Sequence, residues 1–223
     1  MPASWILFDV GGVLELVDDE AWPVAYVGRC ADRLGISAEE FEARLDTVRL
    51  PDASIHSGVE EEFWQVFASA VGAGPALLPT IRDDFWDSYC GTVNSELINY
   101  ARSLMGQVGL AILSNSADGA REQEEQRFGF SAIFDPIRYS HEIGVNKPDL
   151  EAYRIAVTRM ETEPGSVLFI DNRAANVEAA RRFGMRAWLH QDNPATIAMI
   201  SGWLSGRPEG EVQTLESVRP PGC

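Results

Sequence analysis

The chain has 223 residues, of which 45% are hydrophobic and 23% charged, and its formal net charge is −16. These values are typical of a soluble globular protein built from one domain, or from one domain with an insertion. The acidic balance argues against nucleic acid or an anionic membrane as a partner. It does not exclude a phosphate ester, because one cation and a metal ion reverse the field within a pocket. Composition says nothing about the oligomeric state.

The cysteines and the amino terminus indicate a cytoplasmic protein. Cys30, Cys90 and Cys223 are an odd number without CxxC spacing, so the sequence predicts neither a disulfide framework nor a zinc site. No basic segment precedes an apolar one at the amino terminus, as it would in a signal peptide. No apolar run approaches the length of a membrane span.

The first half of the chain begins with one buried strand and continues with helices. The apolar run over residues 5–9 ends at Asp9, which places that carboxylate at the carboxyl end of a strand. Two capping boxes, beginning at Ser37 and Ser57, predict helix starts in the region 16–90. Phe63, Phe67 and Val71 recur there at helical spacing. Four aromatic residues of this region are expected in the core of a small bundle. They are Phe41, Trp64, Phe85 and Trp86.

From about residue 95, strands and helices alternate. This alternation predicts an α/β fold with a doubly wound parallel sheet, helices on both faces and right-handed crossovers. The expected strands are 109–113, 137–140, 166–170 and 185–189. The expected helices are 95–105, 117–128, 149–160, 173–183 and 194–204.

Polar side chains follow the apolar runs at four places in the chain. Each place is one where a parallel sheet presents its ligand-binding edge, so together they indicate one site. The residues concerned are Asp9, Ser114 with Asn115, Lys147 with Pro148, and Asp171 with Asn172. Alone, Ser114 is also compatible with a helix N-cap and Lys147 with a solvated loop.

These four motifs together resemble the haloacid dehalogenase (HAD) superfamily of hydrolases, in the form with a helical cap inserted after strand one. The segments that carry the resemblance are 5–14, 113–116, 144–149 and 169–180. It extends over about residues 4–200 and implies a Rossmannoid core. We expect this core at 1–15 and 91–205, the helical cap at 16–90, and a flexible tail at 206–223.

The resemblance implies the roles of the site residues. Asp9 is expected to attack phosphorus and form an aspartyl-phosphate. Ser114 is expected to bind a phosphoryl oxygen, and Lys147 to neutralise charge as a point cation. The expected substrate-binding residues are Gly11, Gly12, Ser114, Asn115 and Lys147. A Mg²⁺ ion is expected between the carboxylates and the phosphate. Its implied ligands are Asp9, the Gly11 carbonyl, Asp171 and Asn172.

Gly11 departs from the family pattern, in which a second aspartate serves as general acid and base. General acid–base catalysis typically contributes ~10²–10⁴-fold to the rate. Glu15, Asp18, Asp19 and His56 are candidate substitutes, although each is more typical of a solvated surface residue. Asn172 also stands where many relatives carry aspartate, which removes one negative charge and lowers the expected metal affinity.

Three functions follow from this pattern. The first is a Mg²⁺-dependent phosphatase acting on a small phosphorylated metabolite, slow or selective because of Gly11. The second is a HAD-like protein that has lost turnover and binds a ligand or a partner. The third is a 2-haloacid dehalogenase, whose first motif also lacks the second aspartate. That branch uses no metal, keeps no carboxylate at the position of Asp171 and usually has a bulky residue at the position of Gly11. The first function is favoured.

Overall fold

A computed structural model describes residues 4–18 and 21–206. Its strands, numbered in chain order, are β1 Trp5–Phe8, β2 Glu15–Leu16, β3 Thr92–Val93, β4 Gly109–Ser114, β5 Ile137–Tyr139, β6 Val167–Asp171 and β7 Arg186–Leu189. Its helices are α1 Ala21–Leu34, α2 Ala38–Leu45, α3 Glu60–Val71, α4 Leu78–Cys90, α5 Ser95–Ser103, α6 Ala120–Phe128, α7 Ser140–Ile143, α8 Leu150–Met160, α9 Ala174–Phe183 and α10 Asn193–Leu204.

Five strands form the parallel sheet that the sequence predicts. Their order is β5-β4-β1-β6-β7, and every neighbouring pair is parallel. The central strand β1 is buried throughout, with Leu7 paired to Ala111 on one side and to Phe169 on the other. Separate apolar clusters cover the two faces of the sheet, as its near-continuous hydrophobic strands require. The predicted α/β fold class is therefore confirmed.

Helices α1 to α4 pack around an apolar cluster of their own. This cluster includes Phe41 and Trp64, with Phe85 packed against it, as expected from the sequence. Trp86 is buried instead beside Cys90 and Ala120, where α4 meets α6. The arrangement supports the proposal that these helices form a cap on the sheet domain.

The sequence did not predict the two-stranded ribbon formed by β2 and β3. Glu15 pairs with Val93 and Leu16 with Thr92, in antiparallel register. Strands of two residues are too short to show the alternation on which sequence prediction depends. The ribbon joins the segment that leaves the sheet domain to the segment that returns to it.

One of the two predicted capping boxes is confirmed and the other is wrong. Ser37 accepts a hydrogen bond from the Glu40 amide at 3.1 Å and caps α2. Ser57 does not cap α3, because its hydroxyl donates to the His141 carbonyl at 2.9 Å. The cap of α3 comes instead from a residue that is distant in the sequence.

Asp118 supplies that cap from the loop between β4 and α6. Its Oδ2 accepts hydrogen bonds from the amides of Val59 and Glu60, both at 2.7 Å. The Asp118 amide in turn donates to the Ala53 carbonyl at 2.8 Å. A carboxylate at a helix amino terminus also interacts favourably with the helix dipole. These contacts fasten α3 to the ligand edge of the sheet.

Some expectations concern residues outside the described part. The predicted flexible tail lies there from residue 207 onward, as do Cys223 and Asp19. Cys30 and Cys90 are free and buried. Within residues 4–18 and 21–206, no helix combines the length and the apolar character needed to cross a bilayer.

Replacing Asp118 with Ala should lower the free energy of unfolding more than replacing Ser37 with Ala. Loss of an N-cap typically costs about 0.5–2 kcal/mol, and Asp118 additionally connects two parts of the fold. Urea denaturation of the two variants and the wild type measures the difference. Equal stabilities for Asp118→Ala and the wild type would contradict a structural role for this cap.

Candidate active site

The predicted site residues meet at the carboxyl edge of three adjacent strands. Asp9 directly follows β1, Ser114 ends β4, and Asp171 ends β6. The sheet order places β1 between β4 and β6, so these three side chains converge. Ser114 is not a helix N-cap, since α6 begins later with Gly119 at its cap position.

Lys147, the only lysine in the chain, lies between the two carboxylates of this group. Its Nζ lies 2.7 Å from Asp9 Oδ1 and 2.8 Å from Asp171 Oδ2. It is 3% exposed, which excludes the solvated-loop interpretation. Nζ also lies 5.4 Å from the centre of the Phe169 ring. A buried ammonium of this kind is stable only while both carboxylates face it.

Asn115 fixes the backbone of Lys147. Its Nδ2 donates to the Lys147 carbonyl at 2.8 Å, and its Oδ1 accepts from the Lys147 amide at 2.7 Å. The Ser114 hydroxyl donates to the Asn115 carbonyl at 3.2 Å. The motif after β4 thus holds the loop that carries the lysine, in addition to facing the site.

Asn176 holds Asp171, a role that the sequence analysis did not assign. Its Nδ2 lies 3.0 Å from Asp171 Oδ2 and 3.2 Å from Oδ1. The Arg173 amide donates to Asp171 Oδ1 at 2.7 Å. Tyr153 donates to the Asn176 carbonyl at 2.9 Å and so fixes the first turn of α9. The only sequence signal was the position of Asn176 one turn after the motif.

Burial and mutual charge set the ionisation of the buried triad formed by Asp9, Lys147 and Asp171. Burial raises the pKa of Asp9 to about 7. The charge of Asp171 also raises this pKa, whereas Lys147 lowers it. For Asp171, burial is outweighed by Lys147 and by the hydrogen bonds from Arg173 and Asn176, so its pKa is lowered. For Lys147, burial is outweighed by Asp171 and Asp9, and its pKa is raised. The lysine therefore stays charged.

The implied Mg²⁺ ligands are oxygen donors, which suit this hard cation. Asn172 Oδ1 is buried and has no hydrogen-bond partner in the described part of the chain, which leaves it available to a cation or its water. The Asn172 amide packs against Gly12, whose φ is +72° and where a Cβ would lie 2.0 Å from Nδ2. In residues 4–18 and 21–206, no group of three or more His, Cys, Asp or Glu forms a metal site. The candidate set thus consists of two carboxylates with a carbonyl and an amide oxygen.

A cavity of about 250 Å³ opens above Asp9 and Lys147. The predicted residues Gly11, Ser114 and Asn115 line it, whereas Gly12 and Asn172 are not among its lining residues. Its other lining residues are Val10, Glu15, Val17, Trp22, Pro23, Tyr89, Glu124, Arg173 and Asn176.

The candidate substitutes for the general acid and base that Gly11 cannot provide differ from one another in burial and position. Glu15 is buried and lines the cavity. Asp18 is exposed, and its side chain accepts from the Ala21 amide at the start of α1. His56 is exposed in its own loop, where Nδ1 lies 3.1 Å from the Asp52 carbonyl. The sequence analysis missed Glu124, which is buried in α6 and lines the same cavity.

Comparison with known proteins assigns the family. The profile described as haloacid dehalogenase-like hydrolase matches residues 4–184. This chain belongs to the haloacid dehalogenase-like hydrolases. It is 29% identical over 196 residues to a sesquiterpene phosphatase from Aspergillus oryzae, covering 85% of this chain and 91% of that enzyme. It is 30% identical to an (S)-2-haloacid dehalogenase 2 from a Pseudomonas species over 87 residues, 39% of this chain and 38% of that enzyme.

A solved structure supports the fold assignment. A HAD family enzyme from Bacteroides thetaiotaomicron, in complex with magnesium and inorganic phosphate, superimposes with a TM-score of 0.67 at 18% identity. The superposition covers 84% of this chain and 94% of that one. The shared architecture is that of the HAD-like hydrolases.

Replacing Lys147 with Met should destabilise the protein strongly, because it leaves two carboxylates buried without their counter-charge. Removing one partner of a buried ion pair typically costs about 3–5 kcal/mol. Urea denaturation gives the free energy of unfolding. Arg154→Met is the matched control, since Arg154 pairs with Glu151 at the surface and its loss should change stability little. Similar stabilities of the two variants would contradict the buried triad.

Proposed function

We propose that this HAD-like hydrolase is a Mg²⁺-dependent phosphatase that acts on a small phosphorylated metabolite through an aspartyl-phosphate. The observation that carries the proposal is the buried Lys147 ammonium between Asp9 and Asp171, at the floor of the cavity. A phosphoryl group entering there meets a carboxylate nucleophile and a fixed cation together. Phosphoryl transfer depends mainly on such positioning and electrostatic stabilisation.

In the first step, an Asp9 carboxylate oxygen attacks phosphorus, and the bond from phosphorus to the ester oxygen breaks. The ester oxygen takes up one proton, which the attacking water of the second step replaces, and leaves as the alcohol. Asp9 then carries the phosphoryl group. In the second step, water attacks phosphorus, the bond to Asp9 breaks, and inorganic phosphate leaves. Lys147 stays beside Asp9 and Asp171 and offsets charge on the phosphoryl oxygens, while the Ser114 hydroxyl is available to one of these phosphoryl oxygens.

Asp9, Asp171, the Gly11 carbonyl and Asn172 are the residues proposed to hold Mg²⁺. When bound, this ion neutralises phosphate and carboxylate charge and acts as a Lewis acid. The unpartnered Asn172 oxygen supports this assignment. The magnesium in the Bacteroides structure supports it at the level of the superfamily.

The carboxylate at the end of β6 separates this proposal from its alternatives. Asp171 is fully buried, paired with Lys147 and held by Asn176. The dehalogenase branch keeps no carboxylate there, which argues against dehalogenation. A protein that merely binds a ligand has no need of a nucleophile held 2.7 Å from a buried lysine.

The walls of the cavity support an ester whose organic part is small and apolar. Val17, Trp22, Pro23 and Tyr89 line one side of it, and the rings of Trp22 and Tyr89 lie 5.8 Å apart. A volume of about 250 Å³ is close to the lower end of ligand pockets, roughly 300 Å³. The Aspergillus oryzae relative, a sesquiterpene phosphatase, supports an apolar substrate.

Phosphate release from acetyl phosphate and p-nitrophenyl phosphate should require both Mg²⁺ and Asp9. Chelation with EDTA should abolish turnover and added Mg²⁺ should restore it, whereas Asp9→Asn should have none because no phosphoenzyme can form. Labelling with [ε-¹³C]lysine gives a single NMR signal, from Lys147, which reports whether the variant is folded. Equal rates for wild type and Asp9→Asn would refute the phosphatase proposal.

Replacing Trp22 with Ala should raise KM for apolar phosphate esters more than for acetyl phosphate. The indole forms part of the apolar wall, so its loss removes contact with the organic group and leaves the phosphoryl site intact. Steady-state kinetics with both substrates measures the difference. Arg154→Met again serves as a control distant from the cavity, and an equal change in KM for both substrates would contradict the assignment of this wall.

A further inference from the structure

Besides Asp9 and Asp171, another acidic side chain is buried beside the same cavity. Glu124 of α6 has no exposed surface and lines the cavity that contains Asp9. Its Oε2 accepts a hydrogen bond from the Tyr139 hydroxyl on β5. Its Oε1 is buried and has no hydrogen-bond partner among the residues that the structure describes. Tyr139 therefore orients the carboxyl group and leaves one oxygen for another partner.

The surroundings of Glu124 favour its neutral form. Burial is the largest effect, and the charge of Asp9 adds to it, while the Tyr139 hydrogen bond and Arg121 oppose both. Together these effects raise the pKa of Glu124 to about 8. Glu15, Tyr89 and Cys90 complete the titratable surroundings, since both glutamates raise the pKa of that tyrosine and that cysteine. At neutral pH the group is a carboxylic acid that lines the same cavity as the nucleophile.

We propose that Glu124 is the general acid and base of this enzyme and performs the proton transfers that Gly11 cannot. The inference rests on the proposed phosphatase function. The family motifs do not indicate this role for Glu124. They place the proton donor two residues after the nucleophile, whereas Glu124 lies on α6 and lines the cavity.

The proton balance closes over one turnover. As Asp9 attacks phosphorus and the ester bond breaks, the Glu124 carboxyl proton passes to the leaving oxygen, which departs as an alcohol. Glu124 is then a carboxylate. It takes a proton from the water that attacks the phosphoryl-Asp9 bond, so inorganic phosphate leaves, Asp9 is restored as a carboxylate, and Glu124 is again protonated. Such a group must be protonated for the first step and ionised for the second.

Glu124→Gln tests the proposal through its dependence on the leaving group. An alkyl phosphate needs protonation of its poor leaving group, so kcat/KM for butyl phosphate should fall by ~10²–10⁴-fold. For p-nitrophenyl phosphate, kcat/KM should fall far less, because nitrophenolate leaves without a proton. Its kcat should fall while phosphoenzyme accumulates, since the second step lacks its base. Glu122→Gln, an exposed glutamate on the same helix, is the matched control and should leave both substrates unaffected.

The pH profile gives an independent readout. For butyl phosphate, kcat/KM of the wild type should fall as pH rises through about 8, because the acid loses its proton. Glu124→Gln should lack this limb. Tyr139→Phe removes the hydrogen bond that lowers the pKa of Glu124, so its limb should move to higher pH. This second variant keeps the proposal testable if Glu124→Gln does not fold, which the single Lys147 NMR signal reports.

Three outcomes would overturn the proposal. In the first, Glu124→Gln lowers kcat/KM equally for both substrates, as a merely structural role would. In the second, Glu15→Gln produces the leaving-group dependence and Glu124→Gln does not, which would assign the role to the other buried glutamate. In the third, the wild type shows no turnover that depends on Asp9, which refutes the phosphatase function itself. Turnover that depends on Asp9 but not on Glu124 would refute only the assignment of the acid.

Discussion

One buried cation organises this end of the molecule. The Lys147 ammonium lies 2.7 Å from Asp9 and 2.8 Å from Asp171, at the ends of two neighbouring strands. Charges taken out of water are stable only with excellent geometry and further hydrogen bonds. Asn115 and Asn176 supply these, by holding the lysine backbone and the Asp171 carboxylate. In a protein with a net charge of −16, this buried lysine provides a local positive charge.

The rest of the fold encloses that site. The ribbon of β2 and β3 closes the connection between the sheet and helices α1 to α4, and Asp118 caps α3 from the loop that follows β4. The same loop region therefore carries Ser114 toward the cavity and anchors the helical unit above it. Trp22 and Tyr89 extend from that unit into the cavity wall. The proposed phosphoryl chemistry and the proposed substrate selection thus lie on different parts of the chain that line one cavity.

The features that the sequence predicts are those governed by local pattern and strand adjacency. Asp9 and Asp171 follow apolar runs, and a parallel sheet brings such ends together. The failures have a common physical cause, which is contact between distant segments. Ser57 has the spacing of a capping box, yet α3 is capped by Asp118 from the loop between β4 and α6. Glu124 lies in a helix whose only apolar residues are Ala120 and Phe128 at its two ends, so no apolar periodicity marks Glu124 as buried.

Charge balance explains why a displaced acid is compatible with this site. A phosphate dianion approaching Asp9 and Asp171 meets two negative charges and one lysine, so a third ionised carboxylate in the cavity would oppose binding. Burial avoids this opposition because it raises the pKa of Glu124 and so keeps the group neutral when the phosphate binds. The ionised form is needed only after the alcohol has left, when Glu124 takes a proton from the attacking water. The charge of Asp9 favours the protonated form of Glu124 while Asp9 is a carboxylate, and this is the form that the first step requires.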